Sequence, residues 1–395
     1  MQPQVASSLA GRRIRPENPP PMLLVAEPVL GAEEKAALLD VIDSGWITMG
    51  ERVRSFETAF AAAHGVGDCV AVNSCTAALH LILDALGVGP GDEVLVPSLT
   101  FVATSNAVLY VGATPVFVDI NGLDSPHISL EDAASKCTPR TKAVILMHYA
   151  GYIVDRVAWR EFAEKRNILL IEDAAHAAGA EGVGTIGHAT AFSFYGNKNM
   201  TTAEGGAVFA QDASVLERVR QMRGHGMTTG TFQRLSSSIS TYDVTCLGFN
   251  YRMDELRAAI GLVQLRHLAA WNEHRRKLTL QYKRRLAENC PGVTVPFAGL
   301  CNTASKSSSH HVMPIVLPSG IERQKVVDHM RAAGVQTTIH YPPAHMFTYY
   351  STRFPGVSLE ITEDYARREL TLPLHPKMDQ ADVERVVVTL GHALA

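Results

Sequence analysis

The chain has 395 residues, 46% of them hydrophobic, and its 36 basic and 39 acidic side chains give a formal net charge of −3. This near balance disfavours nucleic acid and membranes as partners and favours a small-molecule substrate. The six cysteines form no Cys-x-x-Cys pair and have no histidine at zinc-finger spacing, which favours reduced thiols, a cytoplasmic location and no bound metal.

The first two thirds of the chain predict an arm followed by a sheet. Residues 1–27 are expected to form a flexible or extended arm, because no apolar core follows their arginines and they contain three successive prolines. From about Gly31 to Leu265, short runs rich in valine, isoleucine and leucine alternate with amphipathic segments. This pattern predicts an α/β fold with a largely parallel sheet covered by helices on both faces. The predicted strands are residues 68–72, 93–96, 114–119, 142–147, 168–171 and 206–210, and the clearest helices are 76–86 and 154–166.

The remaining residues predict a smaller domain. A long helix is predicted over residues 253–287, where it would bridge two domains. After it we predict a loop at 292–309, a strand at 312–317, a helix at 322–333, a strand at 336–340 and a final helix at 379–394. We therefore expect a large cofactor-binding domain over residues 28–265 and a small α+β domain over residues 266–395. No run of about 18 apolar residues occurs, so no transmembrane helix is expected.

Lys198 lies in a segment that suits a reactive amine. The run from Ser193 to Gly206 surrounds it with small and hydroxyl side chains and ends in two glycines. An amine that forms a Schiff base must be partly desolvated, so that its neutral form is available. We expect apolar walls from Phe192, Phe194 and Tyr195, and hydrogen-bond donors from Ser193, Thr201 and Thr202.

Asp173 is the second residue, besides Lys198, that indicates cofactor chemistry. Residues 167–173 form a short apolar run that ends in two acids, as expected of a buried parallel strand whose carboxyl end faces a ligand crevice. A carboxylate there can pair with a pyridinium nitrogen, and lysine plus aspartate is the pairing that makes pyridoxal phosphate an electron sink. Taken singly, a lysine near glycines is usually a solvated loop residue, and a strand-end aspartate is usually a helix cap.

Three further positions allow a functional and a structural interpretation. Residues 74–76 begin a helix directly after a strand, where backbone N–H groups could hold a phosphate, but Ser74 could equally be an ordinary N-cap. Phe101 could stack on a cofactor ring or belong to the core. His176 lies one helical turn beyond Asp173, so it could cover the same cofactor or be a structural histidine.

Several short motifs occur in a fixed order along the chain. Besides the Lys198 segment they are Ser44–Thr48, Gly89–Val94, Gly112–Val116, Glu172–His176, Gly248–Met253, His340–Pro343 and Leu372–Pro376. From about Pro28 to the C-terminus the chain resembles the DegT-type, pyridoxal-phosphate-dependent sugar aminotransferases, which share the fold of aspartate aminotransferase, fold type I. The resemblance implies a seven-stranded, mostly parallel sheet and pyridoxal 5'-phosphate as the cofactor. The sequence departs from the usual pattern at Cys75, Tyr195 and Asn197, and residues 147–152 lack a frequent glutamine.

The resemblance also implies roles at the cofactor ring. Lys198 would bind the cofactor aldehyde and carry the substrate proton. Asp173 would pair with the ring nitrogen, and His176 would lie beside the ring and its phenolic oxygen. Phe101 would stack on the ring face.

The phosphate and the sugar would be bound by other segments. The resemblance implies that Thr76, Ser193 and the backbone of Cys75 hold the phosphate. Asn250 would reach the phosphate of the neighbouring subunit, which makes the expected active unit a homodimer with shared active sites. The sugar side of the pocket would be lined by Trp46, Thr48, His340 and Tyr341.

The resulting functional prediction is transamination of a keto sugar, with a nucleotide-linked 4-keto sugar as the leading candidate and glutamate as amino donor. One alternative is an inosose, that is, a keto-cyclitol, as acceptor. A second alternative is the dehydratase branch of the same family, in which a histidine typically replaces the lysine found here at position 198. A third is a cofactor-binding regulator without turnover, although the sequence carries no basic DNA-binding segment.

Overall fold

The structure, a computed structural model, describes residues 22–230, 232, 234, 241–302 and 307–395. Most of the predicted N-terminal arm lies outside these residues. At the described end of the arm, Leu23 exchanges backbone hydrogen bonds of 2.9 Å with Gly334 and Gln336. The carbonyl of Val25 accepts a further hydrogen bond from the N–H of Leu374 at 3.0 Å. These residues are therefore bound to the C-terminal part of the chain.

Helices and strands alternate through most of the described chain. The α-helices are α1 (Ala32–Ser44), α2 (Glu51–Ala63), α3 (Cys75–Ala85), α4 (Ala103–Tyr110), α5 (Leu130–Lys136), α6 (Arg156–Arg166), α7 (Ala213–Met222), α8 (Glu255–Asn289), α9 (Arg323–Ala332), α10 (Thr348–Arg353), α11 (Glu360–Arg368) and α12 (Gln380–Leu394). The strands are β1 (Val70–Val72), β2 (Glu93–Pro97), β3 (Thr114–Val118), β4 (Thr141–Met147), β5 (Leu169–Asp173), β6 (Ala189–Ser193), β7 (Gly206–Ala210), β8 (Met313–Val316) and β9 (Glu369–Leu372).

The first seven strands form one sheet in the order β1-β7-β6-β5-β4-β2-β3. Strand β7 runs antiparallel to both of its neighbours, and the other pairs are parallel. The prediction of a mostly parallel, seven-stranded α/β sheet is confirmed. Because β2, β4 and β5 are parallel, their carboxyl ends meet at one edge of the sheet, where Asp173 ends β5.

Both faces of this sheet are covered by helices. In β1, Val70 and Val72 pack in a cluster that includes residues of α3, α4 and α7. The intervening Ala71 packs in a different cluster, which includes residues of α2 and α8. Successive side chains of a strand point to opposite faces, so this division shows that the sheet is buried on both sides. Strands buried in this way read as continuous apolar runs, which is why most of them are predictable from the sequence.

Two strand predictions differ from the structure. The sequence does not predict strand β6, since its residues, Ala-Thr-Ala-Phe-Ser, are only weakly apolar although every one of them is buried. The predicted strand at 336–340 is wrong, because Thr338 forms only an isolated bridge with Thr371. The backbone N–H of His340 is bonded instead to the carboxylate of Glu369 at 2.9 Å, so it does not enter a strand ladder.

Helix α8 packs against both parts of the molecule. Ala258 and Leu268 in its first half lie in the cluster behind the large sheet. Leu278 and Tyr282 in its second half lie in a separate core with the antiparallel pair β8 and β9. We propose that the domain boundary falls within α8, near residues 265 and 266.

Within the described residues, no helix is long and apolar enough to cross a membrane.

Candidate active site

Asp173 is held at the carboxyl end of β5, with 4% of its surface exposed. One carboxylate oxygen accepts a hydrogen bond from the Thr104 hydroxyl at 2.7 Å, and the other accepts one from the N–H of Ala175 at 3.1 Å. Burial raises the pKa of Asp173, while these hydrogen bonds and the charge of Lys198 oppose that rise. The carboxylate is thus fixed in orientation and available to a cationic partner.

Glu172 anchors the chain next to Asp173 and is fully buried. It accepts hydrogen bonds from the His148 ring at 2.9 Å and from the N–H groups of Ile186 and Gly187 at 3.1 and 2.9 Å. Burial alone would raise its pKa, but the His148 bond and the backbone N–H groups bring the pKa below the usual value. Glu172 therefore ties the loop before β6 to β5.

Lys198 follows β6 in a tight turn. Its N–H donates to the carbonyl of Tyr195 at 3.0 Å, and the N–H of Thr202 donates to the carbonyl of Phe194 at 2.9 Å. Burial lowers the pKa of Lys198 to about 8, while the carboxylate charge of Asp173 opposes this shift. The electrostatic influence of Asp173 shows that the structure brings this pair together. A lysine with this pKa carries an appreciable neutral fraction near neutral pH.

The surroundings of Lys198 differ from the prediction. Phe192 and Phe194 do not form its apolar wall, because both pack edge-on against Phe60 in the core behind the sheet. Tyr195 is 51% exposed. Alternation along β6 explains this, since Phe192 and Phe194 share one face and Ser193 the other.

The predicted hydroxyl donors also act differently. Thr201 and Thr202 donate to the backbone carbonyls of Phe194 and Glu204, at 3.2 and 2.8 Å, so they brace the turn. Ser193 is buried at the end of β6, where its Oγ lies 3.4 Å from the N–H of Tyr195. Its assignment to a phosphate remains a proposal.

The N-terminus of α3 has a capping side chain and also backbone N–H groups that can bind an anion. Ser74 accepts a hydrogen bond from the N–H of Ala77 at 3.1 Å, which confirms it as the N-cap. Within the described residues, the N–H groups of Cys75 and Thr76 have no acceptor, as expected for a first helical turn. Burial raises the pKa of Cys75, so its thiol is neutral.

Gly206 brings β7 unusually close to this helix start. A Cβ atom at this position would lie 2.6 Å from the carbonyl carbon of Ser74 and 2.7 Å from the backbone nitrogen of Cys75. Neither backbone atom can move without shifting α3. The second glycine of the Lys198 segment thus allows this part of the chain to lie directly against the helix N-terminus.

An aromatic and histidine group lies beside Lys198. The Tyr341 hydroxyl and His176 Nε2 are 2.7 Å apart, and Tyr341 also lies 6.2 Å from Phe101 between ring centroids. Burial lowers the pKa of His176 well below its usual value, with the Lys198 charge as a second cause, so the imidazole is neutral. The Nδ1 atom of His176 is buried and has no hydrogen-bond partner. Phe101 is 58% exposed, which excludes the core interpretation.

The remaining predicted site residues occupy different places in the structure. His340 joins the group, with its ring 6.1 Å from that of His176. Trp46 contacts Phe232 edge-on at 5.4 Å, and no contact within the described chain joins Trp46 or Thr48 to Lys198. Asn250 is exposed, and its carbonyl accepts a hydrogen bond from the Asn73 side chain at 3.4 Å, one residue before the cap of α3.

Sequence reasoning missed several residues that support the site. Thr104 orients Asp173, and Asn199 bridges the Asn272 side chain and the Ser309 carbonyl at 2.7 Å each. His311 packs 4.3 Å from the His176 ring between centroids. Asn199 directly follows Lys198, and this position in the sequence is the feature that could have identified it as a site residue. His311 lies between the predicted loop at 292–309 and the predicted strand at 312–317, and nothing in its local pattern indicates a contact with residue 176.

Comparisons with known proteins identify relatives over nearly the full chain. The model of the DegT/DnrJ/EryC1/StrS aminotransferase family matches residues 28–391. The spore coat polysaccharide biosynthesis protein SpsC of Bacillus subtilis is 37% identical over 372 residues, which cover 91% of this chain and 94% of SpsC.

Solved structures agree with this result. NtdA from Bacillus subtilis, with its bound cofactor PMP, is 30% identical with a TM-score of 0.83, and the match covers 92% of this chain and 81% of NtdA. DesI in the presence of its TDP-sugar product is also 30% identical, with a TM-score of 0.83, over 96% of this chain and 94% of DesI. These matches place the fold among the type I aminotransferases.

Gly206→Ala is expected to weaken binding of pyridoxal 5'-phosphate. The added Cβ would push β7 away from α3, and an overpacked contact of this kind corresponds to roughly a tenfold to hundredfold loss of affinity. Gly196→Ala is the matched control, because a Cβ there meets no atom within 4 Å. Titration of apoprotein with the cofactor, followed by absorbance, measures both. Equal affinities for the two variants would show that the close approach of β7 and α3 is irrelevant to binding.

Proposed function

The chain belongs to the DegT/DnrJ/EryC1/StrS aminotransferase family, and on that premise we propose that it transfers the amino group of glutamate to a nucleotide-linked 4-keto sugar. It is a pyridoxal-phosphate-dependent aminotransferase. The observation that carries the mechanism is the pair formed by the buried Asp173 and the half-buried Lys198, which lies beside the open N-terminus of α3.

The residues present fit pyridoxal 5'-phosphate. The free N–H groups of Cys75 and Thr76 suit a phosphate, because a helix N-terminus attracts an anion. Gly206 allows β7 to lie close beside these N–H groups. The buried, unpartnered Nδ1 of His176 leaves a polar atom for a ligand. When bound, this cofactor supplies an aldehyde that binds amines and a ring that withdraws the electrons left by a departing proton.

Lys198 is the residue that we assign to proton transfer. Its lowered pKa of about 8 makes the neutral amine accessible, and only the neutral amine can bind an aldehyde or remove a proton from carbon. Nζ would hold the cofactor between turnovers, remove the Cα proton of glutamate, and return a proton when the sugar receives its amine. The turn fixes the backbone of Lys198 just beyond the carboxyl end of β6.

Asp173 and the neutral rings complete the site. A positively charged ring nitrogen would keep Asp173 ionised in spite of its burial, since opposite charges favour each other. Thr104 holds the carboxylate in place for this contact. His176 would lie at the phenolic oxygen of the cofactor and Phe101 on its face.

The proposed acceptor rests on the sugar side of the site. His340 and Tyr341 offer ring faces and hydrogen-bonding atoms, which suit a sugar and its diphosphate. DesI, one of the similar structures, was solved in the presence of its TDP-sugar product. SpsC, the similar protein from Bacillus subtilis, is named for spore coat polysaccharide biosynthesis. Both observations support a sugar acceptor, and the first supports a nucleotide carrier.

The proposed active unit is a homodimer that shares its sites. Asn250 is exposed and its side chain has no hydrogen-bond partner within the described residues. Its backbone lies near the start of α3, so a partner subunit placed on this surface could receive the amide at its own phosphate. Trp46 and Thr48, which contact no other site residue of the described chain, are proposed to line the sugar side of the assembled pocket.

Lys198→Ala is expected to lower the rate of amino transfer by about 10³-fold or more, because no other described amine is placed to move the proton. Lys165→Ala, on the exposed side of α6, is the matched control. Formation of 2-oxoglutarate from glutamate in single-turnover experiments provides the measurement. A Lys198→Ala protein with the control rate would rule out the proposed proton transfer.

Mixing two variants tests the shared site. Lys198→Ala and Asn250→Asp homodimers are each expected to be impaired, the second because a carboxylate would repel the phosphate. After subunit exchange, a heterodimer would combine one intact site with one doubly altered site, so activity should partly recover. Native mass spectrometry would verify the exchange. Verified heterodimers without recovery would place Asn250 in its own subunit's site or outside the site.

Competition by nucleotides tests the acceptor. UDP or dTDP is expected to inhibit the amine-transfer half-reaction competitively with the acceptor, because the nucleotide would occupy the diphosphate contacts. Inorganic phosphate at the same concentration is the control for a general anion effect. Efficient amination of a free keto-cyclitol, with no competition by either nucleotide, would refute the nucleotide-sugar assignment and leave the aminotransferase assignment in place.

A further inference from the structure

A short chain of hydrogen bonds connects His340 with a buried carboxyl group. The Thr371 Oγ1 atom lies 2.9 Å from His340 Nδ1 and 2.6 Å from Glu369 Oε1. The other oxygen of Glu369 accepts the backbone N–H of His340 at 2.9 Å. Glu369 and Thr371 are fully buried. Both lie on β9, outside every motif that was assigned to the cofactor.

The state of His340 depends on this chain. Burial and the Lys198 charge lower the pKa of His340 to about 3, so its ring is neutral and carries a single N–H. If Nδ1 donates, Nε2 is a bare acceptor, and if Nδ1 accepts, Nε2 carries the proton. Within the described residues Nε2 has no hydrogen-bond partner, and His340 lies beside His176 and Tyr341. Nε2 is the ring atom left for a ligand.

Thr371 has one proton to donate, which couples the two ends of the chain. When Glu369 is ionised, Thr371 donates to it and must accept the proton of His340 Nδ1. When Glu369 is protonated, it donates to Thr371, whose own proton then goes to Nδ1. The first arrangement leaves Nε2 as an acceptor, and the second makes it a donor.

We propose that Glu369, acting through Thr371, sets whether His340 donates or accepts a hydrogen bond at the sugar side of the site. Glu369 and Thr371 are positioning residues, and His340 is the specificity-determining one. In its donor form His340 binds an oxygen of the acceptor, either on the sugar ring or on the diphosphate. This inference rests on the proposed function for the identity of that oxygen, but the hydrogen-bond chain does not depend on it.

The groups around Glu369 determine where it titrates. On α9, Arg323 donates to the Glu369 backbone carbonyl at 3.0 Å. The other titratable groups that interact electrostatically with Glu369 are Tyr149, Tyr341 and Tyr365. Burial raises the pKa of each tyrosine, so all three stay neutral. Burial raises the pKa of Glu369 to about 8, against the hydrogen bonds of Thr371 and His340 and the charge of Arg323. His340 is therefore a donor below about pH 8 and an acceptor above it.

Nitrogen NMR tests the tautomer directly in the holoenzyme. With ¹⁵N-histidine labelling, the His340 signals, assigned by their loss in His340→Gln, are expected to exchange positions between pH 6.5 and pH 9. Glu369→Gln should hold the proton on Nε2 at both pH values, because the amide oxygen accepts from the His340 N–H and the amide nitrogen donates to Thr371. A wild-type tautomer that does not change with pH, or a Glu369→Gln protein protonated on Nδ1, would overturn the proposal.

Binding of the acceptor provides the second readout. The KM of the wild-type enzyme for the keto sugar is expected to rise about fivefold to tenfold from pH 7 to pH 9, the effect of one lost hydrogen bond. In Glu369→Gln and Thr371→Val the KM should stay the same from pH 7 to pH 9, while the pH dependence of kcat should match that of the wild type. Thr389→Val, at a threonine bonded only to a carbonyl of its own helix, is the control. Equal KM profiles in wild type and Glu369→Gln would refute the role of the chain in recognition.

The two readouts separate this proposal from the proposed function. The NMR experiment needs no substrate, so a tautomer change without any aminated product would refute the acceptor assignment and support the hydrogen-bond chain. A normal reaction with a nucleotide-linked keto sugar but a fixed His340 tautomer would refute the chain and leave the function intact. If Thr371→Val does not fold, the pH titration of the wild type and the Glu369→Gln variant still decide the outcome.

Discussion

Burial of two opposite charges at one edge of the sheet is the constraint on which this site depends. Burial acts on Asp173 and Lys198 in opposite directions, raising the pKa of the acid and lowering that of the base, while each charge partly stabilises the other. The hydrogen bonds from Thr104 and Ala175 limit the cost to the acid. The result is a positioned carboxylate and an amine that loses its proton easily. Both are requirements of amine transfer by a pyridine cofactor.

The fold provides this constraint by its topology. Parallel strands bring Asp173 to the edge where α3 begins, and β6, which is parallel to β5, brings the Lys198 segment to the same edge, where the antiparallel β7 begins. Glu172 fixes the intervening loop, and Gly206 permits the close approach of β7 to the helix start. The segment between α9 and α10 contributes His340 and Tyr341, which contact His176. The residues assigned to cofactor chemistry thus lie at the edge of the large sheet, whereas the proposed recognition of the acceptor depends on residues bonded to β9.

The sequence predicts the parts of this arrangement that local pattern determines. Buried parallel strands are continuous apolar runs, so most of the sheet and the position of Asp173 follow from the sequence, and the Lys198 segment is recognisable from its composition. The surroundings of Lys198 do not follow, because whether Phe192 faces the site or the core depends on the register of β6, a strand with little apolar signal. The contacts of His176 with Tyr341 and of Glu369 with His340 join distant segments, and no local period encodes them. The assignments of Asn250, Trp46 and Thr48 depend on a second subunit and stay predictions.

Identification of the lysine that holds the cofactor tests the central claim most directly. Borohydride reduction of the holoenzyme would fix the cofactor to its amine, and digestion followed by mass spectrometry would locate the modified residue. We predict a single labelled peptide, which contains Lys198, and its absence from Lys198→Ala protein. A label on another lysine, or a holoenzyme with bound cofactor and no covalent label, would contradict the assignment of Lys198 as the reactive amine paired with Asp173.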